Sequence, residues 1–131
     1  MKKLLIAMIA FLGVAIYASH VLAAKADDAQ KITGILIDEK CGTAKDGKPK
    51  SEADAAKHGA GCVAKCAGGG SSLQITSGEK VYKLDEASKA KALEYLKNEK
   101  GEGSTRVAVE GTVKDDTLTI TSIKKAEKPA A

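Results

Sequence analysis

Between residues 31 and 124 the apolar positions keep to two rhythms, a strict alternation and a helical repeat. KITGILID (31–38) is rich in β-branched residues and interrupted by Gly34, which predicts a strand carrying a bulge or a sharp bend. SLQITS (72–77) and KVYKLD (80–85) alternate. Leu73 and Ile75 share one face of the first, Tyr82 and Leu84 one face of the second, and Ser77, Gly78 and Glu79 join them as a hairpin. From Asp85, which suits an N-cap, the period lengthens: Ala87, Ala90, Leu93 and Leu96 fall at helical spacing, and Gly101 supplies a stop. TRVAVEGTV (105–113) alternates again with Val107, Val109, Gly111 and Val113 facing in. Asp115 and Asp116 turn the chain, and TLTITSI (117–123) returns with Leu118 and Ile120 inward.

The resulting order is strand, long insert, strand, strand, helix, strand, strand. It predicts a mainly β fold, a five-stranded OB-fold-like barrel with one helix between strands 3 and 4 and an insert between strands 1 and 2. A generic small antiparallel sheet with one helix has the same order, so order alone separates the two weakly.

The ends follow a different logic. MKK, then LLIAMIAFLGVAIYA, then the small residues of SHVLAA form an export signal, with cleavage expected after Ala23 and Ala26 as an alternative. The apolar run approaches the roughly 20 residues of a spanning helix, but Ser19 and His20 interrupt it. The organisation expected is a signal peptide at 1–23, a disordered segment at 24–30, one domain at 31–124 and a disordered tail at 125–131, in a bacterial periplasm or secreted. After cleavage no membrane association is expected, and no lipid anchor, since no cysteine follows the cleavage site. The mature part is long enough for one core, and a monomer is expected.

Composition narrows the function classes. Cleavage removes Lys2 and Lys3, leaving 19 basic and 17 acidic side chains, too near balance to argue for an anionic partner. The only Phe lies in the signal, so Tyr82 and Tyr95 are the aromatics that remain. Single-stranded nucleic acid is usually held by stacked aromatics on a basic groove, and no nucleic-acid role is expected.

The chemistry is concentrated in the insert, where Cys41, His58, Cys62 and Cys66 all lie. Ser51 followed by Asp54 resembles a capping box, so a helix is predicted from about residue 52 through AKHGAGCVAKCA to the glycines at 68–70. Gly59 and Gly61 weaken it by about 1 kcal/mol each. On such a helix His58, Cys62 and Cys66 make one stripe. Lined against Cys41, that stripe offers three thiolates and an imidazole to a tetrahedral soft ion, zinc or copper. First and last ligands then sit two turns apart, about 11 Å along the axis, a mismatch that a break at Gly59 or Gly61 relieves.

A disulfide is the equal alternative. Cys41 bridged to Cys62 or Cys66 closes a loop worth about 3 kcal/mol in an exported chain. It leaves one cysteine over, and that spare thiol together with His58 favours metal. The haem pattern C-x-x-C-H and the redox pattern C-x-x-C are both missing. No third group orients a Cys and His pair for nucleophilic catalysis, so no enzyme is expected. Asp38 reads either as a turn cap or as a partner holding His58 or a lysine. Lys45, Lys48, Lys50, Lys57 and Lys65 could lower thiol pKa values, yet Asp46, Glu52 and Asp54 dilute their field, and a solvated surface is the simpler reading.

ITGILIDEKCG, HGAGCVAKCAGGG, GEKVYKLDEA and VAVEGTVKDDTLTITSIKK together resemble a group of small exported bacterial proteins, mostly of unknown function, that look like OB-fold domains. Their pattern is an Asp three residues before a Cys at the end of strand one, then His, Cys and Cys at spacings of four, here Asp38, Cys41, His58, Cys62 and Cys66. The chain departs in the long lysine-rich link TAKDGKPKSEADAAK and in having few bulky residues after Cys66. The expectation drawn is a non-enzymatic binding protein holding a soft metal ion. The rival is a disulfide-stapled domain that binds a peptide, glycan or envelope partner.

Overall fold

The computed structural model describes residues 28–101 and 103–128; the expected signal peptide lies outside them. Among the described residues there are five strands: β1 (Gln30–Asp38), β2 (Leu73–Ser77), β3 (Lys80–Leu84), β4 (Arg106–Lys114) and β5 (Thr117–Lys125). The helices are α1 (Glu39–Gly42), α2 (Glu52–Ala55), α3 (Ala60–Gly68) and α4 (Glu86–Asn98). The strands form one mixed sheet that closes into a ring in the order β1-β2-β3-β5-β4. All neighbours are antiparallel except β3 and β5, which run parallel through Lys83↔Thr117 and Leu84↔Leu118 and complete the closure.

The predicted alternation holds through the ring. Ile32, Leu36, Leu73, Ile75, Val107, Val109, Leu118 and Ile120 are buried, and the pairings Ile32↔Val109, Leu36↔Ile75 and Val113↔Leu118 place them on one inner face. Val113, Tyr82 and Leu84 pack against this core half-buried. The turn at Asp115 and Asp116 takes positive φ at both residues (49° and 62°), the backbone of a tight hairpin connection. The bulge expected at Gly34 is found elsewhere, where the β4–β5 register shifts between Glu110 and Gly111. Gly34 instead lets strands approach closely: a Cβ there would run into the Thr76 carbonyl, and one at Gly111 into that of Thr119. One residue on, at Ile35, β1 passes from its pairing with β4 to its pairing with β2.

The second half of β1 is buried on both faces, Ile35 and Ile37 as well as Leu36, and so is β2, with Gln74 and Thr76 on the outside. The insert supplies the outer cover. Helices α1 and α2 contact both strands, α3 contacts β1 and α4, and Ala55 and Val63 are fully buried.

Helix α4 begins where expected, with the Asp85 carboxylate accepting the Ser88 N–H at 2.8 Å. Its phase differs from the prediction. Ala87 and Ala90 face solvent, while Ser88, Ala92, Tyr95 and Leu96 are buried. Two polar contacts set that rotation: the Ile120 N–H donates to Ser88 Oγ at 2.7 Å, and the Tyr95 hydroxyl donates to the Ser104 carbonyl at 2.9 Å.

Candidate metal centre

The site is assembled where β1 ends. Asp38, fully buried, is the N-cap of α1: its Oδ2 accepts the backbone N–H of Cys41 at 3.0 Å and the hydroxyl of Ser71 at 3.4 Å. Ser71 lies three residues past the end of α3, its own N–H donating to the Cys66 carbonyl at 3.2 Å. The Glu39 N–H donates to the Ser72 carbonyl at 2.8 Å. One carboxylate and two backbone bonds therefore hold the start of α1 against the end of α3, and Cys41 against Cys66. Asp38 is thus neither a partner of His58 nor of a lysine, as its other reading held. Its second oxygen, Oδ1, is buried without a hydrogen-bond partner.

Helix α3 carries Cys62 and Cys66 one turn apart, so both thiols fall on one face while Ala60, Val63 and Ala67 are buried along another. The Sγ atoms of Cys41, Cys62 and Cys66 all lie within 4.8 Å of one another. A tetrahedral ion with bonds near 2.3 Å sets its sulfurs about 3.8 Å apart, and a planar trigonal one about 4.0 Å. Ligation would draw the sulfurs closer by up to about 1 Å. All three cysteines are free thiols in this structure.

His58 is outside this cluster. The helix predicted from residue 52 is broken into α2 and α3, with Gly59 in extended conformation (φ −77°, ψ 156°) as the N-cap of α3. Ser51 does cap α2, its Oγ accepting the Asp54 N–H at 3.2 Å. His58 falls in the break, its N–H donating to the Ala55 carbonyl and its own carbonyl accepting from Thr105 Oγ1 at 3.3 Å. The break that relieves a two-turn span thus takes the imidazole off the cysteine stripe. Among the described residues, the donor set that converges is three sulfurs.

Two of the insert lysines are paired with neighbouring acids. Lys57 pairs with Asp54 at 2.7 Å and Lys48 reaches Asp46 at 3.9 Å, all with exposed side chains. The Cys41 thiol is pushed the other way, up to about 11, first by burial and then by the Asp38 carboxylate, with Cys66 adding to the effect. An ion bound by the Cys41 thiolate must displace that thiol's proton.

The insert is fastened to the ring at a second point. Glu52 accepts Arg106 Nη1–H at 2.5 Å and the Gly78 N–H at 3.0 Å. These contacts, like Ser71, left little trace in the sequence, because each joins residues far apart in the chain.

Comparison of the chain with protein-family models, with curated proteins and with solved structures finds no match.

Proposed function

We propose that this is an exported, OB-fold-like binding protein of the bacterial periplasm that holds a soft metal ion, zinc or copper, through the thiolates of Cys41, Cys62 and Cys66. The observation that carries the reading is the mutual approach of the three sulfurs within 4.8 Å, two from one helix face and one from a separately capped turn. Soft thiolates in such a number select Cu(I) or zinc over hard cations. The OB-fold assignment draws on the ring order, on the parallel β3–β5 pairing that closes it and on the helix between β3 and β4. In that fold the connection between the first two strands borders the usual ligand face, and the cysteines sit there. The protein acts by binding, with no catalytic step.

The test is metal retention by the reduced mature chain, prepared without oxygen and measured by native mass spectrometry. One ion per chain is expected, lost in Cys66→Ser and in Cys41→Ser and kept in His58→Ala. A mature chain that holds no ion when reduced, and that carries one disulfide and one free thiol when isolated without reductant, overturns the reading in favour of a stapled domain with a peptide, glycan or envelope partner.

A further inference from the structure

Resting on the thiolate site proposed above, we infer that its ion is Cu(I) and that it is passed on by ligand exchange, an incoming donor displacing Cys62 while Cys41 and Cys66 keep hold. The choice of ion follows from the donor count. Zinc held as a closed structural site takes four protein ligands, and on three it keeps an open fourth position; among the described residues no fourth Cys, His, Asp or Glu joins the three sulfurs. Cu(I), a soft monovalent ion, is satisfied by thiolates at low coordination number.

The route follows from how unequally the three corners are built. Cys41 is half-buried and its turn is fixed by the fully buried Asp38 carboxylate. Cys66 is half-buried, and its carbonyl takes the N–H groups of Gly69 and Ser71, which tie it to the same carboxylate through Ser71. Cys62 is exposed, on the first turn of α3, whose N-cap has no side-chain hydrogen bond. Around it the surface is open: a Cβ added at Gly59 or Gly61 would meet no other atom within 4 Å. An acceptor thiol therefore reaches the ion at the Cys62 corner. Its sulfur bonds to copper as the bond from copper to Cys62 Sγ breaks, the departing thiolate takes the proton the acceptor gave up, and copper stays Cu(I) throughout. The acceptor chemistry is a thiolate of a protein or small dithiol.

The experiment loads the reduced mature chain with one Cu(I) and follows its transfer to bicinchoninate, whose copper complex is coloured, over a tenfold range of chelator. The expected rate rises in proportion to chelator. Cys62→Ser, and Cys62→Ala as a second variant, still hold one Cu(I) between two sulfurs and release it at least tenfold faster. X-ray absorption then counts three sulfur neighbours in the parent and two in the variants. A rate independent of chelator, or loss of Cu(I) from Cys62→Ser and Cys62→Ala as complete as from Cys66→Ser, overturns the route. If the chain keeps zinc in preference to Cu(I), this inference fails while the thiolate site stands; retention of neither ion removes both.

Discussion

Strands β4 and β5 run paired from Val107↔Lys125 to Lys114↔Thr117, each residue pair supported by its neighbours. The insert at 39–72 is fastened instead at separate points: Asp38 to Ser71, Glu39 to Ser72, Glu52 to Arg106 and Gly78, and Thr105 to His58, over a small apolar footing of Ala55, Val63 and Ala67. The ring is redundant and the insert is not. A structure with a redundant scaffold and a point-fastened site can lose the site without losing the scaffold, and the sulfurs sit on the point-fastened side.

The sharpest way to break that contrast is to damage the ring itself. Ile75→Ala empties a fully buried position and is expected to cost about 3 kcal/mol, lowering ring and insert together in urea unfolding; loss confined to one of them would contradict a shared core. Asp38→Ala comes next. It removes the cap of α1 and the Ser71 acceptor, an expected cost of about 2 kcal/mol. Hydrogen exchange should speed up in residues 39–72 far more than in β4 and β5, and copper retention should fall. Ser88→Ala places a point contact inside the ring, leaving the Ile120 N–H without its acceptor. About 1 kcal/mol is expected from thermal unfolding, with metal retention unchanged.

The smallest effect is set by pH. The Gly78 N–H and then Arg106 hold the Glu52 carboxyl below its ordinary value, against the opposing push of burial. A carboxylate depressed in the fold contributes stability above its unfolded pKa and loses it as pH falls through the folded one. Acid below about pH 4.5 should therefore loosen α2 from the β2–β3 turn by a few tenths of a kcal/mol, and Glu52→Gln should flatten that part of the stability profile. An unchanged profile would show that the ion pair does not fasten the insert.

How far the sequence could be read divides along the same line. Period-two alternation exposed β4 and β5, because Val107, Val109, Leu118 and Ile120 answer to burial alone, while β1, buried on both faces in its second half, was legible through its β-branched residues. The caps at Asp85 and Ser51 were legible too, since capping is a matter of three neighbouring residues. Helix α4 was placed correctly but turned wrongly. Alanines mark a face weakly, and the buried face is chosen by Ser88 and Tyr95, whose partners at 120 and 104 no local pattern names. At the site, the spacing of Cys62 and Cys66 showed one shared face, whereas the i to i+4 step from His58 was void once Gly59 opened the helix. The role of Asp38 as the hinge of the whole cluster depends on Ser71, a residue 33 positions away.

Asp38 and Leu73 are cross-strand partners, so the chain departs from the sheet and rejoins it across a single strand spacing, about 5 Å. Everything between them is a cassette in the architectural sense. Its length is close to free for the scaffold, since doubling a loop costs only about 0.6 kcal/mol of closure entropy, and the exposed residues between the bridged Thr43 and Pro49 are where growth or trimming would be absorbed. Descendants of such a chain can rewrite the sulfur-bearing segment or swap its ligands while inheriting the same β framework, as long as the segment still covers Ile35 and Ile37.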